Sequence, residues 1–123
     1  MIAIDTSSLR RWAERRSGVD VDQVREAVRN GEAALPPIVL TEALSKPAVE
    51  PMFVEIVMSL GLMSIREGYW KRAGELRSDI LSEGNKAKLA DVLIAQSCID
   101  HDVPLITFDA DFRHFTRAGL KLA

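Results

Sequence analysis

The chain has 123 residues, of which 47% are hydrophobic and 28% are charged, and its formal net charge is −2. These values indicate one globular domain over residues 1–123, and they exclude an overall electrostatic attraction to nucleic acid, so an RNA partner would need a local basic patch or a bound metal ion. The single cysteine, Cys98, excludes an internal disulfide and suits a reducing compartment. Because no signal peptide or bilayer-spanning run is evident, we expect a cytoplasmic protein with no membrane partner.

Predicted strands and helices alternate in the first half of the chain. Residues 1–4 form an apolar run that stops at Asp5 and is followed by hydroxyl residues, which predicts a strand, a turn and a capped helix. Valines at helical spacing predict a helix over residues 21–30. The β-rich residues 38–40, which follow two prolines, predict a strand that leads into Glu42 and a short helix.

An unusually apolar helix is predicted over residues 49–60, where apolar side chains recur at the i, i+3, i+4, i+7 spacing of one face and extend around it. Such a helix is either deeply buried or packs its second face against another subunit. Residues 62–65 are a candidate third strand.

Two longer helices follow, over residues 67–82, with Trp70 on the inward face, and over residues 87–100. A strand over residues 105–108 then leads into an acidic turn, and residues 119–122 can form an edge strand. The alternation of strands and helices predicts an α/β fold, a three-layer α/β/α sandwich with a mainly parallel central sheet.

Three carboxylates, Asp5, Glu42 and Asp109, follow predicted strands. In open α/β sheets, the functional crevice lies beyond the carboxyl ends of the strands. Taken alone, each of these residues could instead cap a helix, occupy a first helical turn or shape a turn.

A fourth carboxylate, Asp91, lies on the apolar stripe of its predicted helix, since its neighbours at i+3, i+4 and i+7 are Ile94, Ala95 and Cys98. The helix dipole contributes about 0.3–1 kcal/mol to an acid near a helix N-terminus, which is less than the several kcal/mol that burial of an ion costs. A structural ion pair with Lys or Arg is one explanation. A divalent cation shared by the four acids is the other, and we favour it.

Mg²⁺ and Mn²⁺ prefer oxygen ligands, and one or two such ions can activate water and stabilise the leaving oxygen of a phosphodiester. Zinc is disfavoured because His101 and His114 show no paired spacing. Most basic side chains are expected on solvated helix faces, although a subset near the acids could grip phosphates.

Four segments, residues 2–9, 38–42, 91–95 and 104–112, resemble the successive motifs of PIN-domain ribonucleases. The compact length resembles the VapC-type toxins of type II toxin–antitoxin pairs. The resemblance implies an endoribonuclease that depends on one or two Mg²⁺ or Mn²⁺ ions. Its catalytic acids would be Asp5, Glu42, Asp91 and Asp109.

The resemblance also implies metal ligands among Asp5, Asp91 and Asp109, with Asp111 as an auxiliary ligand, while Thr6 and Thr107 would orient water. Many relatives carry Asn where this chain has Thr6. The implied partners are an RNA substrate, a second copy of the chain and a cognate antitoxin, and the helix over residues 49–60 could contact either protein.

Two other functions are alternatives. One is a PIN-type RNA-processing nuclease that acts without an antitoxin. The other is a phospho-acceptor signalling domain, which is disfavoured because the predicted mid-chain strand is followed by Arg66 and Glu67, and the late strand by Asp109, so the acceptor Asp and the Lys of that class are missing.

Overall fold

A sheet of five short strands forms the centre of the computed structural model, which describes all residues from Met1 to Ala123. The strands are β1 (Ile2–Ile4), β2 (Ala33–Leu35), β3 (Gly61–Leu62), β4 (Pro104–Ile106) and β5 (Lys121–Leu122). Their order in the sheet is β3-β2-β1-β4-β5, and every pair of neighbours is parallel. Parallel neighbours require long crossover connections, and helices supply them.

Six α-helices and one 3-10 helix surround the sheet. They are α1 (Thr6–Ala13), α2 (Val19–Arg29), α3 (Pro37–Leu44), α4 (Pro51–Ser59), α5 (Tyr69–Ser82), α6 (Leu89–His101) and the 3-10 helix Ala110–Ala118. The predicted three-layer α/β/α fold is confirmed, and the sheet is entirely parallel. None of the helices combines the length and the apolar character needed to cross a bilayer.

The core is one cluster of 26 buried residues on which strands and helices converge. Ile4 of β1 and Leu105 and Ile106 of β4 are at most 1% exposed, and Phe112 and Phe115 of the 3-10 helix belong to the same buried cluster. Complete burial of each such side chain contributes about 1.5–3 kcal/mol. The two central strands are therefore firmly anchored, and so are the residues that follow them.

The predicted strand over residues 38–40 is wrong, because these residues belong to α3. Pro37 lies in the first turn of α3, where a missing backbone N–H carries no cost and the fixed φ angle favours a helix. The second strand is β2, whose Ala33 and Ala34 have low intrinsic β propensity but are buried between β1 and β3. Glu42 consequently lies near the end of a helix and not at the end of a strand.

Smaller differences concern the remaining elements. The third strand is β3, which ends at Leu62 and does not extend to residue 65, and β4 ends at Ile106 and leaves Thr107 and Phe108 outside the sheet. Trp70, which was predicted to face inward, is 64% exposed, and the neighbouring Tyr69 is buried instead. The edge strand predicted within residues 119–122 is confirmed as β5.

The helix predicted over residues 49–60 is α4, and it is not deeply buried. Val57 is the one buried residue in α4, whereas Met52 and Met58 are among the most exposed apolar side chains of the chain. Of the two alternatives for this helix, deep burial and an apolar face that points outward, the structure shows the outward face.

Candidate active site

The carboxyl ends of β1 and β4 meet where the strand order reverses. From β1 the chain adds β2 and β3 on one side of the sheet, then returns to place β4 and β5 on the other side. The backbone N–H of Asp5 donates to the carbonyl oxygen of Ile106 at 3.1 Å, so the segments after these two strands start side by side. Ligands of open α/β sheets bind in the crevice at such a reversal.

Asp5 is the most enclosed carboxylate at this edge, with an exposed fraction of 2%. It is the N-cap of α1 and accepts a hydrogen bond from the backbone N–H of Ser8 at 2.9 Å. The hydroxyls of Ser7, at 3.0 Å, and Thr107, at 2.5 Å, also donate to it. Burial raises the pKa of Asp5, and these hydrogen bonds oppose the shift without cancelling it. The capping role expected of a lone Asp here is therefore present, and it leaves the negative charge uncompensated.

Thr107 joins Asp5 to the acidic turn. Its hydroxyl accepts a hydrogen bond from the backbone N–H of Asp109 at 3.0 Å while it donates to Asp5. Asp109 is the N-cap of the 3-10 helix, and its Oδ1 atom accepts from the backbone N–H of Asp111 at 2.9 Å. A chain of local hydrogen bonds thus holds Asp5, Asp109 and Asp111 in sequence along one edge of the sheet.

Glu42 reaches the same edge from α3. The hydroxyl of Thr6 donates to its Oε1 atom at 2.6 Å, and Thr6 directly follows Asp5. Arg10 donates to the backbone carbonyl oxygen of Glu42 at 2.7 Å, so this guanidinium holds the helix and forms no ion pair with the carboxylate.

Asp91 lies in the first turn of α6 and is partly buried. Its pKa is raised to about 6, mainly by burial and next by the negative charge of Asp109. Asp5 and Glu42 raise it further, and Lys88 opposes them. Its pKa therefore responds to three of the other carboxylates, as expected for acids that face one shared space.

None of the seven salt bridges of the chain includes Asp5, Glu42, Asp91, Asp109 or Asp111. The structural ion pair that was the alternative for Asp91 is therefore absent. Asp5, Glu42 and Asp109 accept hydrogen bonds from hydroxyl or backbone donors, which position them but bring no positive charge. Lys88 offsets the charge of Asp91 in part, and the remaining repulsion is relieved by protons or by a cation from outside the chain.

The donor set suits a hard divalent cation. No three of the acidic, histidine or cysteine side chains are close enough to hold one ion directly. Mg²⁺ takes only one or two carboxylates directly and keeps several waters, so pairs of these acids with water between them match its preference. The oxygen-only chemistry fits Mg²⁺ or Mn²⁺ better than Zn²⁺.

Thr107, which the family resemblance implied would orient water, links Asp5 to Asp109. One feature beside it was not singled out from the sequence. Phe108 was assigned to a strand, yet it stands 63% exposed between Thr107 and Asp109. No pattern in the sequence distinguishes such an exposed phenylalanine from a core residue.

The PIN domain family matches residues 2–118, and the chain belongs to this family. PIN domains are generally metal-dependent nucleases that act on RNA and typically bind a divalent ion such as Mg²⁺. A search of curated proteins found no match to this chain.

Proposed function

We propose that the chain is a Mg²⁺- or Mn²⁺-dependent endoribonuclease that acts in the cytoplasm as the toxin of a toxin–antitoxin pair. The observation that carries the nuclease proposal is the group of carboxylates without ion pairs at the β1/β4 edge, one of which has a pKa raised to about 6. Acids that only need to stabilise a fold are paired with arginine elsewhere in the same chain.

In this proposal Asp5, Asp91 and Asp109 would hold one or two ions directly or through bound water, and Asp111 would assist them. When bound, such an ion would supply Lewis-acid stabilisation of the phosphodiester and would lower the pKa of water. Glu42 completes the catalytic acids. Thr6 and Thr107 fix the orientations of Glu42 and Asp5 through the two shortest hydrogen bonds of the site.

The raised pKa of Asp91 gives the proposed site a defined pH response. Near pH 6 about half of the Asp91 side chains carry a proton, and well above pH 6 nearly all are ionised. A carboxylate must be ionised to bind a cation strongly. We therefore expect cleavage to increase with pH through this range until the acids are fully ionised.

The toxin role rests on two surfaces that suit protein partners. The exposed apolar face of α4 near Met58 suits a second copy of the chain. An open groove of about 800 Å³ adjoins it, is lined by Trp12, Met52 and Phe53, and contains basic side chains such as Lys46 and acidic ones such as Glu50. We propose that an antitoxin occupies this groove.

The nuclease proposal is tested by incubation of the purified chain with total cellular RNA in Mg²⁺, in Mn²⁺ and in EDTA, with new RNA ends mapped by sequencing. We expect cleavage that requires the metal ion. Asp91→Asn should lower the cleavage rate at least about 100-fold, because it removes a proposed ligand of the ion that would stabilise the transition-state charge.

Asp22→Asn is the matched control, since Asp22 is 72% exposed and pairs only with Arg25 at the surface. It should leave cleavage unchanged. Cleavage in EDTA, or equal cleavage by the Asp91 variant, would refute the proposed mechanism. If the chain cleaves RNA but neither self-associates nor is inhibited by any protein encoded next to it, the alternative of a free-standing RNA-processing nuclease is correct.

A further inference from the structure

Phe108 is an exposed aromatic residue between two residues of the candidate site, Thr107 and Asp109. It is 63% exposed, whereas phenylalanine is usually buried. Its two neighbours, Thr107 and Asp109, are joined by a hydrogen bond, and Thr107 also donates to Asp5. The backbone on both sides of the ring is therefore tied to the acids.

One face of the Phe108 ring is covered by a guanidinium group. The Cζ atom of Arg11 lies 3.9 Å from the ring centroid, a cation–π contact. Arg11 is itself fixed, because its Nε atom donates to Asp20 at 3.0 Å and its Nη2 atom donates to the carbonyl oxygen of Ser17 at 2.8 Å. Burial alone would raise the pKa of Asp20, but the hydrogen bonds from Arg11 and Ser8 outweigh it and lower that pKa, so the carboxylate remains ionised and retains Arg11.

An open cavity of about 230 Å³ adjoins Phe108. It is lined by Thr107, Asp109 and Arg113 among others, so it joins an apolar ring to the acidic turn and to a positive charge. Its volume is below the ~300–1,000 Å³ of pockets for drug-sized ligands, and it suits one flat ring.

We propose that Phe108 is a stacking platform for one nucleobase of an unpaired RNA nucleotide next to the scissile phosphate, with Arg11 as the residue that holds the platform in place. The proposal rests on the nuclease function and assigns it a residue that contacts a base. An exposed ring with one face fixed by a cation offers its other surface at little entropic cost, and every base has a π-face that can stack on it.

The proposal restricts the substrate to RNA that is unpaired at the cleavage point. Bases inside an A-form duplex already stack on one another and cannot reach a protein ring unless they are splayed out. Loops, bulges and single strands present such bases. We therefore expect cleavage in single strands and loops and little cleavage within continuous duplex.

The test compares Phe108→Ala, Phe108→Leu and Phe108→Tyr, all in a Glu42→Gln background that keeps the proposed metal ligands and suppresses cleavage. Binding to a short single-stranded RNA that spans a mapped cleavage site is measured by fluorescence anisotropy in Mg²⁺. The Ala and Leu variants should bind roughly 5- to 150-fold more weakly, and the Tyr variant should stay within about twofold, because only tyrosine retains an aromatic face.

A second series of RNAs carries one abasic nucleotide at each position around the cleaved bond. At one position, the loss of the base should weaken RNA binding by the parent protein. At that position Phe108→Ala should cause no further loss of binding, because the base that would contact Phe108 is already absent. Trp70→Ala is the matched control, since Trp70 is equally exposed but belongs to the end of α5 that Arg72 ties to Asp100. It should bind every RNA like the parent.

Equal binding by the parent, Ala and Leu variants, or an effect of Phe108→Ala that persists at every abasic position, would overturn the platform while metal-dependent cleavage by the unmodified chain stands. If the unmodified chain cleaves no RNA, the same variants are measured on a single-stranded RNA of mixed sequence, and binding that depends on Phe108 there would remove the nuclease proposal and retain the platform. An absence of RNA binding by the parent would remove both.

Discussion

Two buried carboxylates of this chain, Asp20 and Asp5, differ in whether a positive charge compensates them. Asp20 is 5% exposed and forms a salt bridge with Arg11 at 3.0 Å, and its pKa is lowered. Asp5 is 2% exposed, accepts only hydroxyl and backbone donors, and has a raised pKa. The chain can therefore neutralise a buried acid, and it does not do so at the β1/β4 edge.

A second pair shows the same contrast. Arg72 donates two hydrogen bonds to Asp100, and the pKa of Asp100 is lowered although its burial acts in the opposite direction. Asp91, on the same helix α6, has no such partner and a raised pKa. Within one helix, the acid near the C-terminal end stabilises the fold and the acid in the first turn carries uncompensated charge. Such a division is typical of a functional site beside a structural one.

The largest effect is expected when the buried Asp20 loses its arginine partner. Arg11→Met leaves Asp20 buried without its partner, which should lower the free energy of unfolding by about 3–5 kcal/mol. Urea unfolding followed by circular dichroism measures the difference. Arg16→Met is the control, since Arg16 and Glu14 are both exposed and 3.9 Å apart, and it should change stability by less than about 0.5 kcal/mol.

The double variant Arg11→Met with Asp20→Asn sharpens this result. It removes the uncompensated charge together with the cation, so it should be more stable than Arg11→Met alone. If the double variant is no more stable, Arg11 acts through packing on Phe108 and not through charge.

A smaller effect of opposite sign is expected at the unpaired acids. The pKa of Asp91 is about 6 in the folded chain and near 3.8 in the unfolded chain, so the folded state holds this proton more tightly. The resulting stability is fully present below about pH 4 and is lost as the pH rises through 6. The Asp91→Asn variant lacks this charge. At pH 8 in EDTA its free energy of unfolding should therefore be about 1–2 kcal/mol higher than that of the unmodified chain, after allowance for solvent screening.

Thermal unfolding of both proteins at intervals between pH 4 and pH 8 measures this difference. The advantage of Asp91→Asn should grow mainly between pH 4 and pH 6. Asp22→Asn serves again as the control for the loss of an exposed carboxylate. A difference for Asp91→Asn that does not change with pH would contradict the raised pKa of Asp91.

The smallest effect is expected from the metal ion itself. At a Mg²⁺ concentration about tenfold above its Kd, binding to the folded chain alone stabilises it by about 1.4 kcal/mol. The increase in Tm should be larger at pH 8 than at pH 5, where the proton on Asp91 competes with the ion. Asp91→Asn should show a reduced increase, and an equal increase in both proteins would place the ion elsewhere.

The sequence was most informative where local physics and the final fold agree. The apolar run before Asp5 and the hydroxyls after it predicted β1 and α1, and both form, with Asp5 alone between them as the N-cap of α1. The position of Asp91 on an apolar stripe predicted an acid in an unfavourable place, and its raised pKa agrees with that reading. These features depend on residues within a few positions of each other, so a single sequence contains them.

The sequence was misleading where sheet pairing outweighs local preference. Residues 38–40 have strong β propensity but extend a helix that starts at a proline, while Ala33–Leu35 have weak propensity and form the strand between β1 and β3. Periodicity alone cannot distinguish a short buried strand from a buried helical turn. The approach of Glu42 to Thr6 therefore depends on how α3 packs against α1, and a strand end does not explain it.

The sequence by itself determined that the chain alternates strands and helices and that it contains acids with no obvious local purpose. Only the tertiary structure decided that arginines neutralise Asp20 and Asp100 and leave the acids at the β1/β4 edge unpaired, and that Phe108 is exposed beside them. The physical reason is that charge compensation and burial depend on groups far apart in the chain. Helix and turn signals, in contrast, act over a few residues.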